Sequence, residues 1–100
     1  MRIDHIAIWC EDLERMREFY TTYFSCRAGE IYHNPRKQYS SYFLTFDGGT
    51  QLELMTRPGM TDLPKPTERT GWAHAAFSLG SKAAVDALTD ALRQDGWQAI

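Results

Sequence analysis

Read with a period of two, Ile3 to Trp9 puts Ile6 and Ile8 on one face and His5 on the other with Ile3, Ala7 and Trp9. A period of two with this isoleucine content predicts a strand that buries at least one face. The period then changes: Leu13, Met16, Phe19, Tyr20, Tyr23 and Phe24 recur every three or four residues, with Glu14, Arg15, Arg17 and Glu18 on the opposite side. That spacing predicts an amphipathic helix, for which Asp12 is the natural N-cap. A short strand is expected from Ala28 to Tyr32, followed by a polar loop through His33, Asn34, Pro35, Arg36 and Lys37. β-type residues resume from Tyr39 to Phe46, with Tyr42, Leu44 and Phe46 on one face and Phe43 and Thr45 on the other. Asp47-Gly48-Gly49 signals a hairpin, because glycine tolerates the positive φ of a tight turn. Its partner strand, Gln51 to Thr56, puts Leu52 and Leu54 on one face and Gln51, Glu53 and Met55 on the other.

The same pattern begins again further on. Ile3-Asp4-His5-Ile6-Ala7-Ile8 is echoed by Trp72-Ala73-His74-Ala75-Ala76-Phe77, an offset of 69 from position 5 to position 74. The offset also aligns Met16 with Val85, Phe19 with Leu88 and Tyr23 with Leu92. A strand is therefore expected over Trp72 to Leu79 and a helix from the Ser81 cap through Asp95, closed by Gly96. Trp97 to Ile100 would begin another strand. The second copy stops early, since the offset carries Glu53 to position 122, past Ile100. The organisation expected is α+β in a single domain. Residues 1–57 form a βαβββ module, 58–71 a linker rich in proline and glycine, and 72–100 the start of a second module, incomplete in this chain.

A formal charge of −2 and a pI near 5.8 leave no basic footprint for nucleic acid or an anionic membrane surface. No apolar run reaches the roughly 20 residues that span a bilayer, and polar Asp4 and His5 stand where a signal peptide would be apolar. A cytoplasmic protein is expected. Cys10 and Cys26 lie too far apart for a Cys-x-x-Cys motif and read as reduced thiols.

A histidine in an apolar strand is ordinarily a hydrogen-bonded core residue. A glutamate between Leu52 and Leu54 is harder to place, because an unpaired carboxylate facing a closed core is costly. Together they carry more. His5 and His74 occupy equivalent positions in the two copies, so a pseudo-twofold relation would bring both imidazoles to one axis, with Glu53 supplying a carboxylate. Two imidazoles and a carboxylate suit Zn²⁺, Ni²⁺, Mn²⁺, Co²⁺ or Fe²⁺, and spacing does not choose among them. Tyr32, Tyr39, Tyr42 and Phe43 are candidates for a pocket wall, and Arg36, Lys37 and Arg57 for contact with an anionic substrate.

Asp4-His5-Ile6-Ala7-Ile8, the helix from Asp12 through Phe19-Tyr20, Gln51-Leu52-Glu53-Leu54-Met55 and His74-Ala75-Ala76-Phe77 together resemble the glyoxalase, bleomycin-resistance and extradiol dioxygenase superfamily, the vicinal oxygen chelate proteins. The resemblance covers nearly the whole chain. It implies paired βαβββ modules whose curved mixed sheets form a half-barrel around a divalent metal, with His5, Glu53 and His74 as ligands. It also implies a fourth ligand, a glutamate on the final strand, for which this sequence has no position. Either the chain is a piece of a longer protein, the favoured expectation, or a second chain completes the sheet.

The activity implied is that of a metal-dependent glyoxalase-like lyase or isomerase. It would act on a small carbonyl compound or its thiol adduct through a metal-stabilised enediolate, with Glu53 as metal ligand and catalytic carboxylate and Tyr42, Phe43 and Arg57 at the substrate. The alternatives are a metal-free drug- or metabolite-binding protein and an extradiol-type dioxygenase. A homodimer is expected, because the core is short and the second module unfinished.

Overall fold

Residues 1–98 are described by a computed structural model, and the chain divides into two compact units, Met1–Leu63 and a second that begins at Pro64. The first unit runs β1 (His5–Trp9), α1 (Leu13–Tyr23), β2 (Arg27–Ala28), β3 (Tyr32–Asn34), β4 (Tyr39–Thr45) and β5 (Gln51–Thr56). Its strands form one mixed sheet in the order β1-β5-β4-β2, with β3 also on β4. β1 is parallel to β5, and every other pair is antiparallel. The fold is α+β, as the change of period along the chain predicts.

Register sorts the side chains into rows. Ile6, Leu52 and Leu44 form one row and Ile8, Leu54 and Tyr42 another, both on one face. These residues make the core with Leu13, Cys26, Met16 and Tyr20, so this face is covered by α1. Leu44 and Leu54 are completely buried. The alternate rows, His5-Gln51-Thr45, Ala7-Glu53-Phe43 and Trp9-Met55-Ser41, lie on the opposite face. A slip of one residue would exchange the two sets, so burial of the leucines also fixes where Glu53 points.

α1 starts where Asp12 accepts a hydrogen bond from the Arg15 backbone N–H at 3.0 Å, satisfying one of the free donors of the first turn. It ends as the Phe24 N–H bonds Tyr20 O, and Ser25 takes a positive φ of 49° to turn the chain toward β2.

The predicted hairpin is a single 3-10 turn over Asp47–Gly49, in which Gly48 and Gly49 have φ of 83° and 90°. The expected strand from Ala28 to Tyr32 is corrected: it divides into β2 and β3, separated at Gly29, Glu30 and Ile31. The expected loop is shorter than the polar run, because β4 offers its edge to Tyr32, His33 and Asn34. The Asn34 side chain then accepts from Lys37 N at 2.9 Å and closes the turn locally.

In the second unit, α2 spans Lys82–Gln94 and is capped by Ser81 Oγ, which accepts from Ala84 N at 3.1 Å. Gly96 stops it at a φ of 91°. The strand expected over Trp72–Leu79 does not form; the segment carries no ladder. β1 is a strand because β5 pairs with it, and the sequence equivalence of Ile3–Ile8 with Trp72–Phe77 does not extend to secondary structure. Of the strand expected from Trp97 to Ile100, Trp97 and Gln98 are irregular and the remaining two positions lie outside the described residues. No helix is long and apolar enough among the described residues to cross a membrane.

Candidate metal centre

His5 opens β1, and Glu53 lies two residues further along the neighbouring strand, beside Ala7. Ala7 offers only a methyl group on this face, leaving room for the imidazole to lean across. His5 Nε2 and Glu53 Oε1 are 3.7 Å apart. Glu53 is buried at 8% exposure, whereas the His5 side chain keeps 38% of its surface open. Phe43, in the Glu53 row, meets the imidazole edge-on with ring centroids 5.0 Å apart. On the other side of the ring, Nδ1 is 2.9 Å from Asp4 Oδ2. That hydrogen bond lowers the Asp4 carboxyl below its usual 3.8, with the nearby positive charge of Arg2 a lesser contribution.

The donor chemistry of this pair fits a divalent cation. A separation of 3.7 Å is too long for a hydrogen bond. His5 Nε2 and Glu53 Oε1 would hold such an ion as nitrogen and oxygen donors. His5 and Glu53 supply two donors; among the described residues no group of three or more His, Cys, Asp or Glu side chains gathers to hold a metal ion. His74 belongs to the second unit, exposed on the segment without a ladder.

The other expected site residues divide by face. Phe43 is on the Glu53 side. Arg57 follows β5 and places its guanidinium carbon 4.9 Å over the ring of Trp9, an exposed cation–π contact at the far end of that same face. Tyr32 and Tyr39 pair with β3 and β4 positions on this side, their rings 5.9 Å apart. Arg36 and Lys37 are exposed in the turn after β3.

Tyr42 requires correction. It lies on the α1 face, buried at 8% exposure, with its hydroxyl donating to Glu14 Oε1 and Arg17 5.3 Å above its ring. The alternation that turns Phe43 toward Glu53 turns Tyr42 away, so it packs against the helix on the face opposite Glu53.

Three residues of the open face escape the sequence reading of chemistry: Asp4, Trp9 and Ser41. Ser41 is fully buried and its hydroxyl has no hydrogen-bond partner among the described residues. Its register opposite Met55 is the only signal that places it near Trp9, and register is not readable before pairing is known.

The first unit is thus an α1-backed mixed sheet, in the order β1-α1-β2-β3-β4-β5, with a His–Glu pair on its other face. A profile of the Glyoxalase/Bleomycin resistance protein/Dioxygenase superfamily matches residues 2–100, and the chain belongs to that superfamily. It is 32% identical over 80 residues to the uncharacterized protein YwkD of Bacillus subtilis, a match covering 79% of this chain and 62% of that protein, so it spans less than two thirds of the relative's length. Among solved structures, a glyoxylase/bleomycin resistance protein/dioxygenase domain from Frankia sp. EAN1pec superposes with a TM-score of 0.81 at 21% identity, over 96% of this chain and 70% of that one. A glyoxalase family protein from Enterococcus faecalis gives 0.75 at 22%, over 95% and 72%. At these identities the likeness is one of fold.

Proposed function

We propose that this chain is part of a metal-dependent lyase or isomerase of glyoxalase type, acting on a small carbonyl compound or its thiol adduct. The observation that carries the reading is the approach of His5 Nε2 to Glu53 Oε1, 3.7 Å apart on the face that α1 leaves free. His5 and Glu53 are the assigned ligands within the first unit. When bound, a divalent cation there supplies Lewis-acid polarisation of a substrate carbonyl.

The chain's own residues do the rest. With Oε1 of Glu53 turned to His5, Oε2 is assigned the proton that leaves the carbon beside the carbonyl and returns at the neighbouring position. Burial of Glu53 limits competition from water, and Phe43 walls the site on the β4 side. Arg57, held over Trp9, is assigned to an anionic group of the substrate.

A homodimer in a reducing, cytoplasmic compartment belongs to the same reading. Exposed Trp72, Phe77 and Val85 support association, and the free Cys10 and Cys26 suit a reducing environment.

Elemental analysis and metal titration of the purified protein test the proposal. About one divalent ion per site is expected, and His5→Ala and Glu53→Ala should each abolish its retention. Stoichiometric metal in the double variant would end the assignment. Tight binding of a drug or metabolite by protein free of metal would replace it with a sequestration role, and oxygen uptake with a catechol would replace it with dioxygenase chemistry.

A further inference from the structure

We infer that Asp4 is a positioning residue that fixes which nitrogen of His5 carries the proton, and so which nitrogen is free to bind a cation. Its carboxylate can only accept a hydrogen bond, so the 2.9 Å contact with Nδ1 requires the proton to be on Nδ1. In a neutral imidazole the lone pair is then on Nε2, the nitrogen that faces Glu53. Free imidazole side chains favour the opposite tautomer, with Nε2–H, so the protein must supply the bias.

In the neutral Nδ1–H form, Nε2 and the buried Glu53 Oε1 face each other as two acceptors, an arrangement that a positive ion between them would satisfy. Asp4 can reach the ring because it precedes the first ladder residue of β1; inside the strand, alternation would point it to the opposite face. Arg2, 3.8 Å from the second Asp4 oxygen, offsets the charge, and Phe43 restrains the ring from β4.

The metal consequence rests on the proposed function, but the tautomer does not, so two measurements separate them. The first is long-range nitrogen–proton NMR of the three histidine rings in metal-free protein at mildly alkaline pH, assigned with His33→Gln and His74→Gln variants. His5 should appear as Nδ1–H in the unsubstituted chain. Asp4→Ala should move it to Nε2–H, whereas Asp4→Asn, whose amide oxygen can still accept, should keep part of the Nδ1–H form. His5 as Nε2–H from the start, or an unchanged tautomer in Asp4→Ala, overturns the inference. The second is competition for Zn²⁺ against a chromophoric chelator. Asp4→Ala should weaken binding about 10- to 100-fold, with partial rescue in Asp4→Asn. Equal affinities overturn the role. The expected tautomers in a chain that takes up no Zn²⁺ would support Asp4 and overturn the metal reading instead.

Discussion

Glu53 is buried between two leucines, and what makes that tolerable is the character of its face. Leu52 and Leu54 point to α1, while Glu53 points to a surface where His5 remains partly open and Phe43 and Ala7 are its row neighbours. Ser41, two rows along the same strand pair, is the opposite case: a buried hydroxyl without a hydrogen-bond partner among the described residues. Such a group costs about 1–3 kcal/mol when left unsatisfied, against the smaller loss of packing from removing one oxygen. Ser41→Ala should therefore leave stability unchanged or raise it by about 1 kcal/mol in urea unfolding. A loss of that size would reveal an ordered water satisfying the hydroxyl.

α1 and β5 locate the site by different means. The helix covers one sheet face and leaves the other free, and its first turn depends on Asp12 as well as on Leu13 packing into the core. Asp12→Ala removes the acceptor of the Arg15 N–H and is expected to cost about 1 kcal/mol, read as a lowered urea midpoint. Asp12→Asn, which keeps an acceptor, should recover most of it. In β5 the information is positional, since the leucine alternation locks the register against β1 and β4 and carries Glu53 with it. The interruption between β2 and β3 shows the reverse dependence. Polar His33 and Asn34 join the sheet because an edge is available, whatever their propensity.

The thiols and phenols packed around α1 are held toward their neutral forms. Burial raises the Cys10 and Cys26 thiols above 9.0 and the Tyr20 phenol above 10.0, and the Glu14 hydrogen bond raises Tyr42. Each folded value lies above its unfolded one, so above about pH 9 the native state holds more protons than the unfolded chain. The contribution is complete below that pH and is lost as pH rises through the folded values. The urea midpoint should hold from neutral to about pH 9 and then fall. A midpoint rising through that range would contradict the assignment. In the first unit the sheet covers α1, and among the described residues α2 has no buried side chain.

Period alone determined much of this: the strand at His5, the helix after Asp12, the β4 and β5 faces and the helix after Ser81 all follow from spacing and caps. The internal repeat and local motifs resembled the right superfamily, because alternation and caps act over a few residues and survive without knowledge of partners. Tertiary structure decided what depends on pairing. It brought His5 to 3.7 Å from Glu53, turned Tyr42 against α1, swung Asp4 onto the imidazole and left Trp72–Leu79 without a ladder. A strand exists only where another supplies its hydrogen bonds, and a side chain's chemistry depends on what register places beside it.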